Sequence, residues 1–178
     1  MLLNAGASQL LLYYPVGLTE LFCKILVADI TSEQLTEDLE MHTVLRCLGG
    51  KHATKLLDDS RGAKLIHWPR VWAARTLALV GDTRCVDALE LATKDTEWRV
   101  RMQAVRAVSL VCTPSRLEEI GASLVSDKSI RVRGMLATCL GRNGGTGSYM
   151  LLGTLLRDAD VLVRNHAERA LARLKLRL

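Results

Sequence analysis

The chain has 178 residues, with 24 lysines and arginines against 19 aspartates and glutamates, a net charge of +5 and an isoelectric point near 9.1. An apolar content of 49% excludes a disordered chain. An aromatic content of only 4% leaves the core to leucine, valine and alanine, which suits close helix packing better than a β-sandwich. The basic balance favours acidic partners and dictates no fold.

Residues 1–19, MLLNAGASQLLLYYPVGLT, carry no charged side chain. They lack the basic start of a secretory signal. Asn4, Ser8, Gln9, Pro15 and Gly17 interrupt the run too often for a membrane-spanning helix. The segment is expected to pack on the rest of the chain, with membrane contact disfavoured. Residues 18–27 and 35–48 read as helices, separated by Thr31-Ser32, which with Glu33 or Gln34 makes a helix-capping region. Gly49-Gly50 ends the second helix. Residues 1–50 are expected to form an N-terminal helical cap over whatever follows.

From residue 51 the chain repeats itself. HWPRVWAARTLALV (67–80), WRVRMQAVRAVSLV (98–111), IRVRGMLATCLGRN (130–143) and VLVRNHAERALARL (161–174) align on Arg70, Arg101, Arg133 and Arg164, at spacings of 31, 32 and 31. Pro69, Val100, Val132 and Val163 precede these arginines. Ala73, Ala104, Leu136 and Ala167 follow at +3, Thr76, Ala107, Cys139 and Ala170 at +6, and Leu77, Val108, Leu140 and Leu171 at +7. Those offsets trace one stripe of an α-helix. The small residues at +3 and +6 admit close approach of a neighbouring helix. Asp95, Asp127 and Asp158 stand six residues before three of the arginines, and Lys64 stands before the first.

A further apolar segment precedes each aspartate: 85–94, 117–126 and 149–157. Each unit is thus helix, short aspartate-containing turn, helix, with boundaries near 51–81, 82–112, 113–143 and 144–178. Thr113-Pro114 is an N-cap followed by proline at the first helical position. Pro69 sits near a helix start, where its missing N–H costs little. Gly81-Asp82 and Asn143-Gly144-Gly145 mark turns.

The D-x5-R segments DTEWRVR (95–101), DKSIRVR (127–133) and DADVLVR (158–164), each followed by the small-residue stripe, resemble HEAT repeats. The nearest likeness is to the short HEAT-like type also found in phycobilisome lyase proteins. The resemblance covers roughly residues 52–178. It implies an all-α fold, an α-solenoid of about four helix pairs, closed at its N-terminus by the cap. It also implies that Arg101, Arg133 and Arg164 join with Asp95, Asp127 and Asp158 in a ladder between neighbouring units. The aspartates are expected to cap the second helices. The arginine forks, Arg70 included, are expected to bridge to a carboxylate or turn carbonyl of the adjacent unit.

Second helices usually line the concave side of such arrays. The opposite face of these helices, at −2, +2, +5 and +9, holds Trp68, Trp72, Arg75 and Leu79, then Arg99, Gln103, Arg106 and Leu110. It continues with Arg131, Met135, Thr138 and Arg142, then Leu162, His166, Arg169 and Arg173. Its twelve candidate partner-binding residues are Trp68, Trp72, Arg75, Arg99, Gln103, Arg106, Arg131, Met135, Arg142, His166, Arg169 and Arg173. The competing reading is a merely solvated basic face, with Trp68 and Trp72 buried under the N-terminal cap.

Catalytic patterns are absent from the sequence. His42, His52, His67 and His166 have no second histidine or cysteine at metal-ligand spacing. No His-Glu dipeptide of the iron-binding deoxyhypusine hydroxylase type occurs. Residues 141–147, GRNGGTG, lack the lysine of a phosphate-binding loop. Cys23, Cys47, Cys85, Cys112 and Cys139 are odd in number and form no C-x-x-C pair, which disfavours zinc and a disulfide framework. Free, mostly buried thiols in a reducing cytoplasm are expected. The leading expectation is a non-catalytic protein-interaction scaffold or adaptor without cofactor, metal or small-molecule substrate, binding an acidic partner. The alternatives are a nucleic-acid-binding protein, similar to HEAT-like DNA glycosylases, and an accessory protein that assists bilin attachment as the lyases do.

Overall fold

The computed structural model describes residues 17–27, 39–49, 53 and 67–178. All regular structure among them is helical. Nine α-helices occur there: α1 (Leu18–Val27), α2 (Leu39–Gly49), α3 (His67–Val80), α4 (Val86–Ala92), α5 (Trp98–Val111), α6 (Pro114–Ala122), α7 (Ile130–Asn143), α8 (Ser148–Leu155) and α9 (Val161–Arg177). A 3-10 turn, Thr83–Cys85, leads into α4.

The arginine-marked helices pack side by side in chain order, α3 on α5, α5 on α7 and α7 on α9. The shorter helices flank this row: α4 lies on α5, α6 touches α5, α7 and α8, and α8 lies on α7 and α9. Helix α1 packs on α3 and α4, and α2 packs on α3. The first helix of the 51–81 unit and most of the 1–50 region lie outside the described residues. Within that region α1 occupies the 18–27 span read from the sequence. The described part of α2 starts at Leu39, and residues 35–38 lie outside.

The stripe explains the packing. Val100, Ala104, Ala107 and Val108 on α5 are fully buried, as are Val132, Leu136 and Leu140 on α7 and Val163 and Ala167 on α9, while Cys139 and Ala170 stay nearly so. Each fully buried leucine contributes about 1.5–3 kcal/mol. The small residues set the spacing: a Cβ built on Gly141 would lie 2.5 Å from Ala170 Cα. One stripe position shifts. Leu171 is only half-buried, and Leu174, one turn on, is buried instead.

Thr113 caps α6 by accepting from Arg116 N at 3.4 Å, with Pro114 at the helix start. Gly81 ends α3 with φ +71, a conformation glycine adopts without steric cost. The expectation that Asp95, Asp127 and Asp158 cap the second helices needs correction. Each lies three residues before its helix's first residue, too early to reach the first free N–H groups. Their Oδ1 atoms instead close Asx turns with Glu97 N (2.8 Å), Ser129 N (2.7 Å) and Asp160 N (2.9 Å). Capping of α5 and α9 falls to Glu97 and Asp160, which accept from Arg99 N and Leu162 N.

Two further ties cross between helix pairs. Glu118 Oε1 accepts from Gly145 N (2.8 Å), Ser148 N (2.8 Å) and Ser148 Oγ (2.7 Å), which anchors the start of α8 to α6. Thr19 Oγ1 donates to Asp82 Oδ2 at 2.8 Å, and Arg84 bridges Asp82 and Glu20, so α1 is fastened to the turn before α4. The Arg84 and Thr19 hydrogen bonds hold the Asp82 carboxyl well below the usual carboxylate range.

Candidate binding surface

The arginines divide into two sets with different chemistry. In the first set, each guanidinium grips the aspartate of the following unit. Arg70 Nε meets Asp95 Oδ2 at 2.7 Å. Arg101 Nε and Nη2 meet Asp127 Oδ2 and Oδ1 at 2.7 and 2.8 Å. Arg133 Nε and Nη2 meet Asp158 Oδ2 and Oδ1 at 2.6 and 2.9 Å. Arg101, Arg133 and Arg164 also donate Nη1 to the carbonyl of the aspartate six residues earlier. Each aspartate thus serves the arginine of the unit before it through its side chain, and the arginine of its own unit through its backbone.

These contacts set the acid–base state of the turns. The Arg133 hydrogen bond, working against some burial, holds the Asp158 carboxyl below its ordinary value. At Asp127 burial pushes the carboxyl up, and the bonds from Arg101 and from Ser129 N overcome it, so it too lies low. The Arg101 side chain is 5% exposed and that of Asp127 7%, which makes this the most enclosed of the three pairs.

The second set faces the other way. Arg106, Arg142, Arg169 and Arg173 are exposed and Arg75 is half-buried. None of the five has an ion-pair or hydrogen-bond partner among the described residues. Arg106 and Arg142 come from adjacent helices, and both lie close enough to Cys139 to act on its thiol, whose ionisation burial nevertheless suppresses. Leu79 and Leu110, at the +9 positions of α3 and α5, are 55% and 53% exposed. The same position on α7 and α9 holds Arg142 and Arg173. One row therefore runs from two exposed leucines to two unpaired arginines. Helices α3, α5 and α7 carry no acidic residue, and α9 carries only Glu168. The flanking helices hold Asp87, Glu90, Glu118 and Glu119, so charge is sorted between the two layers.

The remaining expected surface residues are distributed unevenly. Trp72 is buried, and its ring occupies the space where a Cβ on Gly49 of α2 would fall. It is part of the core, not of the face. Trp68 stacks on Trp72 with centroids 6.3 Å apart and is half-buried. Gln103 is half-buried with its Oε1 turned inward and unpartnered. Met135 is half-buried against the core. His166 is exposed, with Nδ1 3.2 Å from Thr138 Oγ1 on α7. Arg99 pairs with Glu97 at 2.8 Å, so it is less available than its neighbours.

One residue at the rim went unread in the sequence. Trp98, the first residue of α5, lies under two guanidinium groups, Arg99 at 4.5 Å and Arg131 at 5.1 Å from its ring centroid. Such contacts are attractive through the ring quadrupole. The Arg131 contact links α7 to α5. The repeat alignment held the signal: at −3 from the arginine the other units carry His67, Ile130 and Val161, and only this one carries tryptophan.

Among the described residues no helix is long and apolar enough to cross a membrane. Among them no group of three or more His, Cys, Asp or Glu is placed to hold a metal ion. Cys85 and Cys139 are buried, Cys23 and Cys112 intermediate, and Cys47 exposed. No protein-family model matches the chain, and no curated protein matches it.

Proposed function

We propose that the chain is a cytoplasmic, non-catalytic binding scaffold, a short α-solenoid of HEAT-like helix pairs whose second helices hold an acidic polypeptide segment on their basic face. The observation that carries this reading is the division of the arginines. Arg70, Arg101 and Arg133 are consumed by carboxylates of the fold. Arg75, Arg106, Arg142, Arg169 and Arg173 are left without an ion-pair or hydrogen-bond partner among the described residues, on one side of one helix row. Five unpaired guanidinium groups on a layer with a single carboxylate repel one another, and an acidic ligand relieves that repulsion.

The leucine-to-arginine row refines the partner. An extended or helical segment with apolar side chains at one end and carboxylates at the other fits Leu79 and Leu110 against its apolar end and Arg142 and Arg173 against its acids. Trp98, clasped by Arg99 and Arg131, borders this face. Rigid amphipathic aromatics beside arginine are the residue types that concentrate binding energy at interfaces. The side chains available on the face are mainly guanidinium groups, which donate hydrogen bonds and charge and so favour recognition over catalysis.

Fluorescence anisotropy with two labelled probes tests the reading: a peptide of mixed glutamate and leucine, and a DNA duplex. The acidic peptide is expected to bind, with affinity falling as salt rises. Binding of the duplex alone, with a steep salt slope from phosphate contacts, would replace this reading by nucleic-acid recognition.

A further inference from the structure

His166 lies on the basic face, and its hydrogen bonds fix which ring nitrogen carries the proton. Thr138 Oγ1 donates to the carbonyl of Gly134, one turn back on α7, at 3.0 Å. A threonine hydroxyl has a single proton to give. In its 3.2 Å contact with His166 Nδ1 the same oxygen must therefore accept, and Nδ1 carries the hydrogen. The ring is also seated. A Cβ built on Gly134 would lie 3.2 Å from its Cδ2, so glycine leaves the room that the imidazole occupies. In the neutral ring Nε2 is then left with a lone pair. His166 is exposed, and its Nε2 has no hydrogen-bond partner among the described residues.

We propose that His166 Nε2 is a proton-linked contact for a carboxylate of the acidic partner: the ring takes the carboxylate only as imidazolium, and binding takes up a proton from solution. This contact rests on the basic-face reading above. A lone pair on Nε2 repels a carboxylate. A proton there replaces the repulsion with a charge-assisted hydrogen bond. The neutral ring cannot offer that donor by changing tautomer without giving up its bond to Thr138. The charges around the ring favour the anion. On α9, Arg169 and Arg173 follow three and seven residues on, along the same side of the helix. Arg164 and Glu168, each two residues away, do not share that side. On α7, Arg142 comes one turn after Thr138, Arg131 is held over Trp98, and Arg133 is bound to Asp158. Helix α8, the other helix packed on α9, carries no charged residue, and its titratable group is Tyr149. Histidines change charge between about pH 5 and pH 8. The partner is therefore held more tightly toward the acid end of that range.

Calorimetric titration of the glutamate–leucine peptide into the full chain, between about pH 6 and about pH 8 in buffers of different ionisation heat, tests this. The peptide glutamates stay ionised throughout that range. Affinity is expected to be at least about threefold higher near pH 6 than near pH 8, with net proton uptake in between. His166→Gln, whose amide donates at every pH, is expected to bind with a smaller proton uptake and a flatter pH dependence. Thr138→Val frees the neutral ring to turn an Nε2–H outward, and is expected to flatten the dependence by raising affinity near pH 8. Nitrogen NMR of the free protein near pH 8 reads the tautomer directly and is expected to place the hydrogen on Nδ1. Hydrogen on Nε2 would overturn the proposal and leave the basic face standing. So would equal proton uptake in wild type and His166→Gln, or an unchanged pH dependence in Thr138→Val. A peptide that binds at no pH in the range would overturn the basic-face reading and this contact with it.

Discussion

The guanidinium of Arg101 and the carboxylate of Asp127 meet through two parallel hydrogen bonds, 2.7 and 2.8 Å long, between residues 26 positions apart. Both side chains are almost wholly enclosed. Removing one partner of such a pair strands the other charge away from water, at a cost of about 3–5 kcal/mol. Arg101→Ala is expected to lose that much in urea unfolding. Arg70→Ala and Arg133→Ala lose less, since those side chains are 12% and 13% exposed. Arg164→Ala loses about 1 kcal/mol, the worth of its carbonyl contacts alone. Arg101→Ala combined with Asp127→Ala costs less than the sum of the two.

The low-lying Asp127 and Asp158 carboxyls give the fold a defined acid limb. A carboxylate whose folded pKa is depressed contributes stability that is fully present above its unfolded value, about 3.9. That contribution is lost as pH falls from there through the folded value. Urea midpoints should show no ladder-dependent change between pH 7 and about pH 5 and then fall below about pH 4. Asp127→Asn starts from a lower plateau and shows a shallower acid limb. An unchanged acid limb in Asp127→Asn and Asp158→Asn would contradict this origin.

Two helical glycines separate packing from propensity. A Cβ on Gly141 would meet the backbone of Ala170 at 2.5 Å, whereas one on Gly153 meets nothing within 4 Å. Gly153→Ala is expected to stabilise by about 0.5–1 kcal/mol, the difference in helix propensity. Gly141→Ala forces α7 and α9 apart and destabilises by about 1–3 kcal/mol. Thermal unfolding of both variants gives opposite shifts in Tm.

The thiols should react in the order of their exposure. Cys47 is exposed, whereas Cys85 is buried and its thiol is pushed up to about 12, mainly by that burial. Burial also raises Cys139. A maleimide at neutral pH should label Cys47 first and leave Cys85 and Cys139 unlabelled until the chain unfolds. Early labelling of Cys139 would contradict the packing of α7 described here.

Periodicity made the second helices legible. Arg70, Arg101, Arg133 and Arg164 recur because each unit repeats the same job, and a repeated job leaves a repeated residue. Contacts made once leave no such trace. Trp72 occupies the +2 position of a face whose other members are half-buried or exposed, yet Gly49 of α2 admits its ring to the core. Nothing in the repeat announces that. Glu118 reaches Gly145 and Ser148 from about a full unit away, and its i, j spacing matches no local motif. The aspartates resemble helix caps in sequence, but standing three residues before the helix start they are placed for an Asx turn and too early for a cap. Of the candidate binding face, its composition was readable. Which arginines stay unpaired was not, because the repeat pattern does not show that Arg99 reaches Glu97 and the Trp98 ring while Arg106 reaches neither.

The most direct test of the account is a calorimetric titration of a glutamate–leucine peptide into three proteins of matched fold. The wild type is compared with Arg106→Glu/Arg142→Glu/Arg173→Glu and with Lys94→Glu/Lys128→Glu/Arg157→Glu, which changes net charge equally away from the face. The account predicts that the first triple variant loses affinity by about a hundredfold or more. It also predicts that the second keeps most of its affinity, losing only what long-range attraction contributes, and that both unfold near the wild-type Tm. Equal losses in the two variants, or none in the first, would contradict a binding face on the second helices.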